Sequence, residues 1–136
     1  MDAHYRFVEH TGEIEIHVEA ATLPLLFEEA AHGLADLLAD DARGAPSGPE
    51  EHVTLSATDR EHLLVDWLNE LVYRGEIDKR VYGYVRIDRL DDHELEATIR
   101  GREPRAPRTA IKAATWHALR IRPIVHGFEA TVVLDV

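Results

Sequence analysis

The chain has 136 residues, of which 45% are hydrophobic and 30% charged, with no cysteine and a formal net charge of −11. That is enough chain for one ordinary domain with a real core, and too apolar a composition for a disordered segment. Thiolate and disulfide chemistry are excluded, and no apolar run approaches the roughly 20 residues needed to cross a bilayer. The opening MDAHYRFVEH lacks the basic-then-apolar order of a signal peptide, so a cytoplasmic protein without a membrane partner is expected.

The charge is unevenly spread. Residues 1–99 hold 8 Lys/Arg against 23 Asp/Glu, whereas residues 100–122 hold Arg100, Arg102, Arg105, Arg108, Lys112, Arg120 and Arg122 against Glu103 alone. A mostly acidic body repels polyphosphate, so stable direct nucleic-acid binding is not expected. Acidic surfaces instead steer cations and basic protein partners. The basic segment reads as a solvated loop and strand edge, or as a place to hold a phosphate.

In chain order, Ile14, Ile16, Val18 and Ala20 alternate with Glu13, Glu15, His17 and Glu19, the period of a half-buried strand. Thr22 reads as a helix N-cap with Pro24 in the first turn. Leu23, Leu26, Phe27, Ala30, Leu34, Leu37 and Leu38 then mark one helical face to about Ala39. ARGAPSGPE, residues 42–50, is a loop by its prolines and glycines. Residues 52–57 alternate as a strand. Thr58 opens TDRE, a capping-box pattern in which Glu61 reaches back to the N-cap amide. Leu64, Trp67, Leu68, Leu71 and Val72 stripe the second helix, which Gly75 helps to close. Asp66, Asn69, Glu70 and Arg74 flank that stripe and read as solvated.

Two strands near 81–88 and 94–101 follow, then a loop at RGREPRAPR. AATWHALRI and FEATVVLDV form a final antiparallel pair around residues 126–127. Isolated helices followed by consecutive strands predict an α+β single domain over 1–136, a mixed, mostly antiparallel sheet with two helices on one face.

Familiar catalytic signatures are missing. No glycine-rich phosphate loop, G-x-S-x-G or H-E-x-x-H occurs, and no serine or threonine lies in a recognisable nucleophile context. Nine histidines are many for this length; none share helical i, i+4 spacing, and they read as surface residues rather than a transition-metal site.

Four stretches and the chain end carry a resemblance. FVEHTGEIEIHVEA, TLPLLFEEAAHGLADLLAD, HLLVDWLNELVY, AIKAATWHALRI and the closing VVLDV are similar, in order and spacing, to the archease family. Trp116 stands where that family has tyrosine, and Gly12–Glu13 where it usually has Ala-Asp. The resemblance implies an archease-like fold and a non-catalytic activator of the tRNA-splicing RNA ligase, promoting histidine guanylylation and repeated turnover in tRNA splicing or RNA repair. It implies a divalent cation, generally treated as Ca²⁺ with Mn²⁺ or Mg²⁺ as alternatives. Carried to matching positions, its ligands are Glu13, Asp135 and the carbonyl or terminal carboxylate of Val136.

The physics agrees with that set if the first and last strands are neighbours: hard cations want oxygen ligands from several segments, and close carboxylates repel unless a cation lies between them. Two solvated strand-end acids are the plain alternative. Gly12 could let the backbone accommodate the longer Glu13. His10 and Thr11 are candidates to orient a ligand carboxylate, and Lys112 and His117 to contact the ligase or a phosphate. Competing readings are a metal-independent, chaperone-like modulator of another RNA-processing enzyme, and a small hydrolase built on Glu13, His10 and Asp135.

Overall fold

A computed structural model describes residues 2–136 of the chain. Its elements run β1 (Ala3–His10), β2 (Glu13–Ala20), α1 (Leu23–Leu38), β3 (Glu51–Ser56), α2 (Arg60–Asp78), β4 (Val81–Leu90), β5 (Glu94–Arg102), β6 (Ala113–Thr115), β7 (Arg122–Ile124) and β8 (Gly127–Asp135). The α+β class with two helices holds. The strands pair antiparallel and divide into two sheets. One is ordered β1-β2-β8, with β6 and β7 sharing the outer edge of β8, and the other is ordered β3-β5-β4.

Helix α1 explains the division. Its buried residues Leu26, Phe27, Ala30, Ala31, Leu34, Ala35 and Leu37 cover an arc too wide for one sheet. It touches β1, β2 and β8 on one side and β4 on the other, and it also meets α2. The core therefore draws Ile14, Ile16 and Val18 of β2, Leu95 and Ile99 of β5, and Val132 and Leu134 of β8 into one cluster with both helices. Trp67 is fully buried there, and its indole N–H donates to the Phe27 carbonyl at 2.9 Å.

The N-terminal strand β1 has no counterpart among the strands read from sequence. It is an edge strand whose Tyr5 and Phe7 pack on the core while His4, Arg6 and His10 face out. With polar residues outward and only one paired neighbour, its pattern is weak.

Both helix starts are capped by side chains. Thr22 Oγ1 accepts from Leu25 N as expected. In α2, however, the N-cap is Asp59, whose Oδ1 accepts from His62 N at 2.8 Å. Glu61 does not close a capping box on Thr58; its Oε2 accepts from Ile121 N at 3.0 Å, tying the helix start to a distant segment. Gly75 is not the last residue of α2. The helix stops at Lys79, with φ 57, and the Arg80 amide donates back to the Gly75 carbonyl. A Cβ on Gly75 would lie 2.6 Å from the Arg80 carbonyl oxygen, so only glycine admits this close return.

The segment predicted as one strand over 113–121 is interrupted. β6 ends at Thr115, and Trp116 to Leu119 form a turn closed by Leu119 N to Trp116 O at 3.0 Å, with Ala118 at φ 54. The chain then rejoins the edge of β8 as β7. Burial of Leu119 and Ile121 on one side holds this detour in place.

The basic segment serves two ends. Arg100 donates twice to the Gly48 carbonyl, Arg102 meets Asp41 and Arg108 meets Asp40, so these three bind loops together. Arg120 and Arg122 follow the Trp116–Leu119 turn and are exposed.

Candidate metal centre

Thr11 and Gly12 form the two-residue turn of the β1–β2 hairpin, since His10 pairs with Glu13 across it. Gly12 has φ 79, the left-handed region in which a side chain is strained. That turn delivers Glu13 as the first residue of β2. On the other edge of β2, Glu13 is the direct register partner of Asp135, the last residue of β8. Residues 13 and 135, at opposite ends of the sequence, therefore stand side by side. Side chains at opposed antiparallel positions share a face, with Cβ atoms roughly 4.5–5.5 Å apart.

That face is the one turned away from the core. Ile14 and Leu134, the next pair along, are buried, whereas Glu13 is half-buried and Asp135 exposed. The strand ends are also fastened. Val136 N donates to the Gly12 carbonyl at 3.2 Å, and Lys112 N donates to the Asp135 carbonyl at 2.8 Å. Val136 packs its side chain against the core and holds its backbone next to the hairpin turn.

The donor set is thus two carboxylates plus main-chain oxygen near the turn. It is an all-oxygen set suited to a hard divalent cation, whose remaining ligands would be water. Among the described residues no group of three or more His, Asp or Glu converges to hold a metal. Of the three residues of the hydrolase reading, Glu13 and Asp135 stand together, while His10 is engaged with Glu15.

The other sequence candidates divide. His10 borders the turn, but its Nε2 meets Glu15 Oε2 at 2.6 Å rather than Glu13. Thr11 is exposed at the tip of the turn. Lys112 is exposed beside Asp135, held there by its own amide and not by a place on a strand. His117 falls in the turn after β6, beyond the Thr115–Val133 pair, and is separated from the Glu13–Asp135 end.

Asn69 is a residue whose role the sequence reading missed. Instead of facing solvent, its amide Nδ2 donates to the Ala114 carbonyl at 3.0 Å and its Oδ1 accepts from Ala114 N at 2.7 Å. It does for the free edge of β6 what a neighbouring strand would do, and β6 in turn pairs with Asp135 through Ala113. An amide beside an apolar helical stripe, within WLNEL, is the signal that marks it. Glu70 and Arg74 are likewise engaged, with each other at 2.6 Å, and Arg74 also with Glu51 at 3.4 Å.

The family model described as the Archease protein family (MTH1598/TM1083) matches residues 5–136. The chain belongs to the archease family. The protein archease of Methanosarcina acetivorans is 32% identical, with 97% of this chain and 95% of that protein covered. That of Methanopyrus kandleri is 34% identical, with coverage of 95% and 96%. The solution structure of Methanobacterium thermoautotrophicum protein 1598 superposes with a TM-score of 0.75 at 27% identity, covering 97% of this chain and 98% of that one. A crystal structure from Thermotoga maritima, described as an archease and possible chaperone, shares the fold with a TM-score of 0.64 at 22% identity and coverage of 95% and 94%. In this archease no described helix is long and apolar enough to cross a membrane.

Proposed function

We propose that this archease is a divalent-cation-binding accessory protein that activates an RNA ligase, promoting guanylylation of the ligase's active-site histidine and so its multiple turnover in tRNA splicing or RNA repair. The observation that carries the reading is the direct pairing of Glu13 with Asp135. Two carboxylates side by side on one face repel each other, and a cation between them relieves that repulsion. Glu13, Asp135 and a main-chain oxygen of Val136 would hold the ion, Ca²⁺ by the character of the donors, with Mn²⁺ or Mg²⁺ as alternatives. The ion would supply positive charge for phosphate oxygens at a nucleotide pocket. The chain's own part is positional. The Gly12 turn and the Lys112 and Val136 amides fix the two strand ends, and the acidic surface steers a transient encounter with a partner carrying basic groups. In this reading it is a non-catalytic activator, and the reacting groups are the ligase's.

The test is a mixture of ligase, GTP and substrate RNA. Glu13→Ala and Asp135→Ala are each expected to abolish stimulated turnover while the variants keep the parent melting temperature. Calorimetry should show Ca²⁺ binding to the parent and its loss in Glu13→Ala. Stimulation that survives either substitution overturns the site.

A metal-independent, chaperone-like role is favoured by a different observation. Trp116, Tyr73 and Ile77 are 59–61% exposed, and Tyr73 and Ile77, four residues apart on α2, share one helical face open to a partner. Stimulation insensitive to EDTA but lost in Trp116→Ala would select that reading.

A further inference from the structure

On the outward face of the first sheet, toward its β7 end, lies a recess of about 290 Å³ lined by His17, Ala118, Arg120, Arg122, Glu129 and Thr131. We propose that it binds a phosphate monoester carried on a hydroxylated group such as a sugar. Arg120 and Arg122 clasp the phosphoryl oxygens, and Glu129 accepts from a neighbouring hydroxyl.

The two arginines are built into place. They alternate with Leu119 and Ile121, which are 2% and 4% exposed, so both leave the extended segment on the side away from the core. The segment is pinned by Ile121 N, which donates to Glu61 Oε2 at 3.0 Å. The Arg120 guanidinium is itself held by Nη1 donating to the Leu119 carbonyl at 2.8 Å, which leaves its remaining N–H groups for a ligand. Ala118, at φ 54, turns the chain into the recess. Arg102 and Arg108 of the same basic stretch are each paired with an aspartate. Among the described residues, Arg120 and Arg122 have no carboxylate within 4.0 Å. Even Glu129, the register partner of Arg122, stands beyond that distance. In a chain of net charge −11, two adjacent guanidiniums left without carboxylates form a fork for bidentate oxyanion binding.

The opposite wall is polar and ordered. Thr131 Oγ1 lies 3.0 Å from His17 Nδ1, and His17 Nε2 lies 3.0 Å from Glu15 Oε1, so the imidazole cannot swing. Glu129 decides the class of ligand. A carboxylate beside the fork repels a bare oxyanion but accepts a hydrogen bond from a hydroxyl next to the phosphoryl group. A smaller, more enclosed hollow of about 80 Å³ adjoins it past His17 and is lined by Arg6 and Glu19 as well. The size suits a small ligand, at the lower edge of the about 300–1,000 Å³ of ligand sites.

The test is calorimetry in chelator-containing buffer, which separates it from the cation site. Ribose 5-phosphate, inorganic phosphate and a 5′-phosphorylated oligoribonucleotide are titrated into the parent, Arg120→Gln/Arg122→Gln and Glu129→Gln. Ribose 5-phosphate or the oligonucleotide end should bind the parent, and whichever binds more tightly identifies the source of the phosphate. The double substitution should weaken binding by about a hundredfold, roughly tenfold per charge-assisted partner. Glu129→Gln should weaken the sugar-bearing ligands and tighten inorganic phosphate. Glu13→Ala should leave all three titrations unchanged. Failure of both sugar-bearing ligands to bind at millimolar concentration, or binding that ignores the double substitution, overturns the proposal. Tightening of all ligands by Glu129→Gln overturns its hydroxyl component.

Discussion

Asn69 shows how much one side chain can decide. Both ends of its amide are bonded to the main chain of Ala114, at the edge of a strand only three residues long. Removing it leaves a donor and an acceptor at that edge without a partner, which costs about 1–3 kcal/mol when water cannot replace them. Asn69→Ala should lower unfolding free energy by that amount in a urea titration. Because β6 borders Asp135, it should also weaken Ca²⁺ binding in calorimetry. A loss of stability with unchanged Ca²⁺ affinity would uncouple the β6 edge from the proposed cation site. The residue was legible as an amide in a helical motif, but its target was not, because 45 residues separate it from Ala114.

At the scale of elements, the β1–β2 hairpin and the broken edge strand position the residues of both proposed sites. The hairpin turn needs one left-handed residue, and Gly12 supplies it. A Cβ built there meets nothing within 4 Å, so the cost of a side chain is backbone strain alone. Gly12→Ala should destabilise by about 1–2 kcal/mol, the usual penalty for a left-handed L-residue, as read from the shift of the urea midpoint. A null result would show that the turn changes its geometry to suit alanine. The other edge of β8 is served by two short strands in place of one. AATWHALRI alternates well enough to read as continuous, yet the Trp116–Leu119 turn breaks it. Local alternation cannot distinguish a side chain that points into a core from one that points into a neighbouring recess.

Across the whole molecule, pH dependence follows from carboxyl and phenol groups held by hydrogen bonds, some within a turn or helix cap and some between segments. The amide of Arg105 beside Asp41, and the amide of His62 beside Asp59, hold those carboxyls below the ordinary 3.8. Thr98 and then Arg86 do the same for Asp88, and the amide of His93 for Asp91. Depressed folded values favour the fold above pH 3.8, and that contribution disappears as pH falls through them. Tyr5 works in the opposite direction. Burial, and then its hydrogen bond to Asp36 on α1, pushes its hydroxyl from 10.0 up to about 12. Its contribution is complete below pH 10 and is lost as pH rises toward 12. The melting temperature should therefore fall below about pH 4 and again above about pH 10, and Tyr5→Phe should flatten the alkaline limb. A Tyr5→Phe profile that declines as steeply as the parent would assign the alkaline loss elsewhere, with Tyr82, which burial and Glu51 also raise, as the next group to test.

What the sequence determined by itself was local. Alternation over residues 13–20, the apolar stripes of both helices, the Thr22 cap and the strands near 81–88 and 94–101 could be read because each depends on neighbours within a turn or a pleat. Glu13, Asp135 and Val136 stood out through likeness to archeases, not through spacing, since 122 positions separate the two acids along the chain. Tertiary structure alone decided that β2 and β8 are adjacent and in a register that puts Glu13 opposite Asp135. It decided as well that α1 is shared by two sheets, that Glu61 and Asn69 bond to segments far away in sequence, and that Arg120 and Arg122 lie in a recess with His17 and Thr131. The reason is physical: periodicity reports which face of an element is apolar, while the choice of the surface that covers that face is made by packing among segments the chain brings together only on folding.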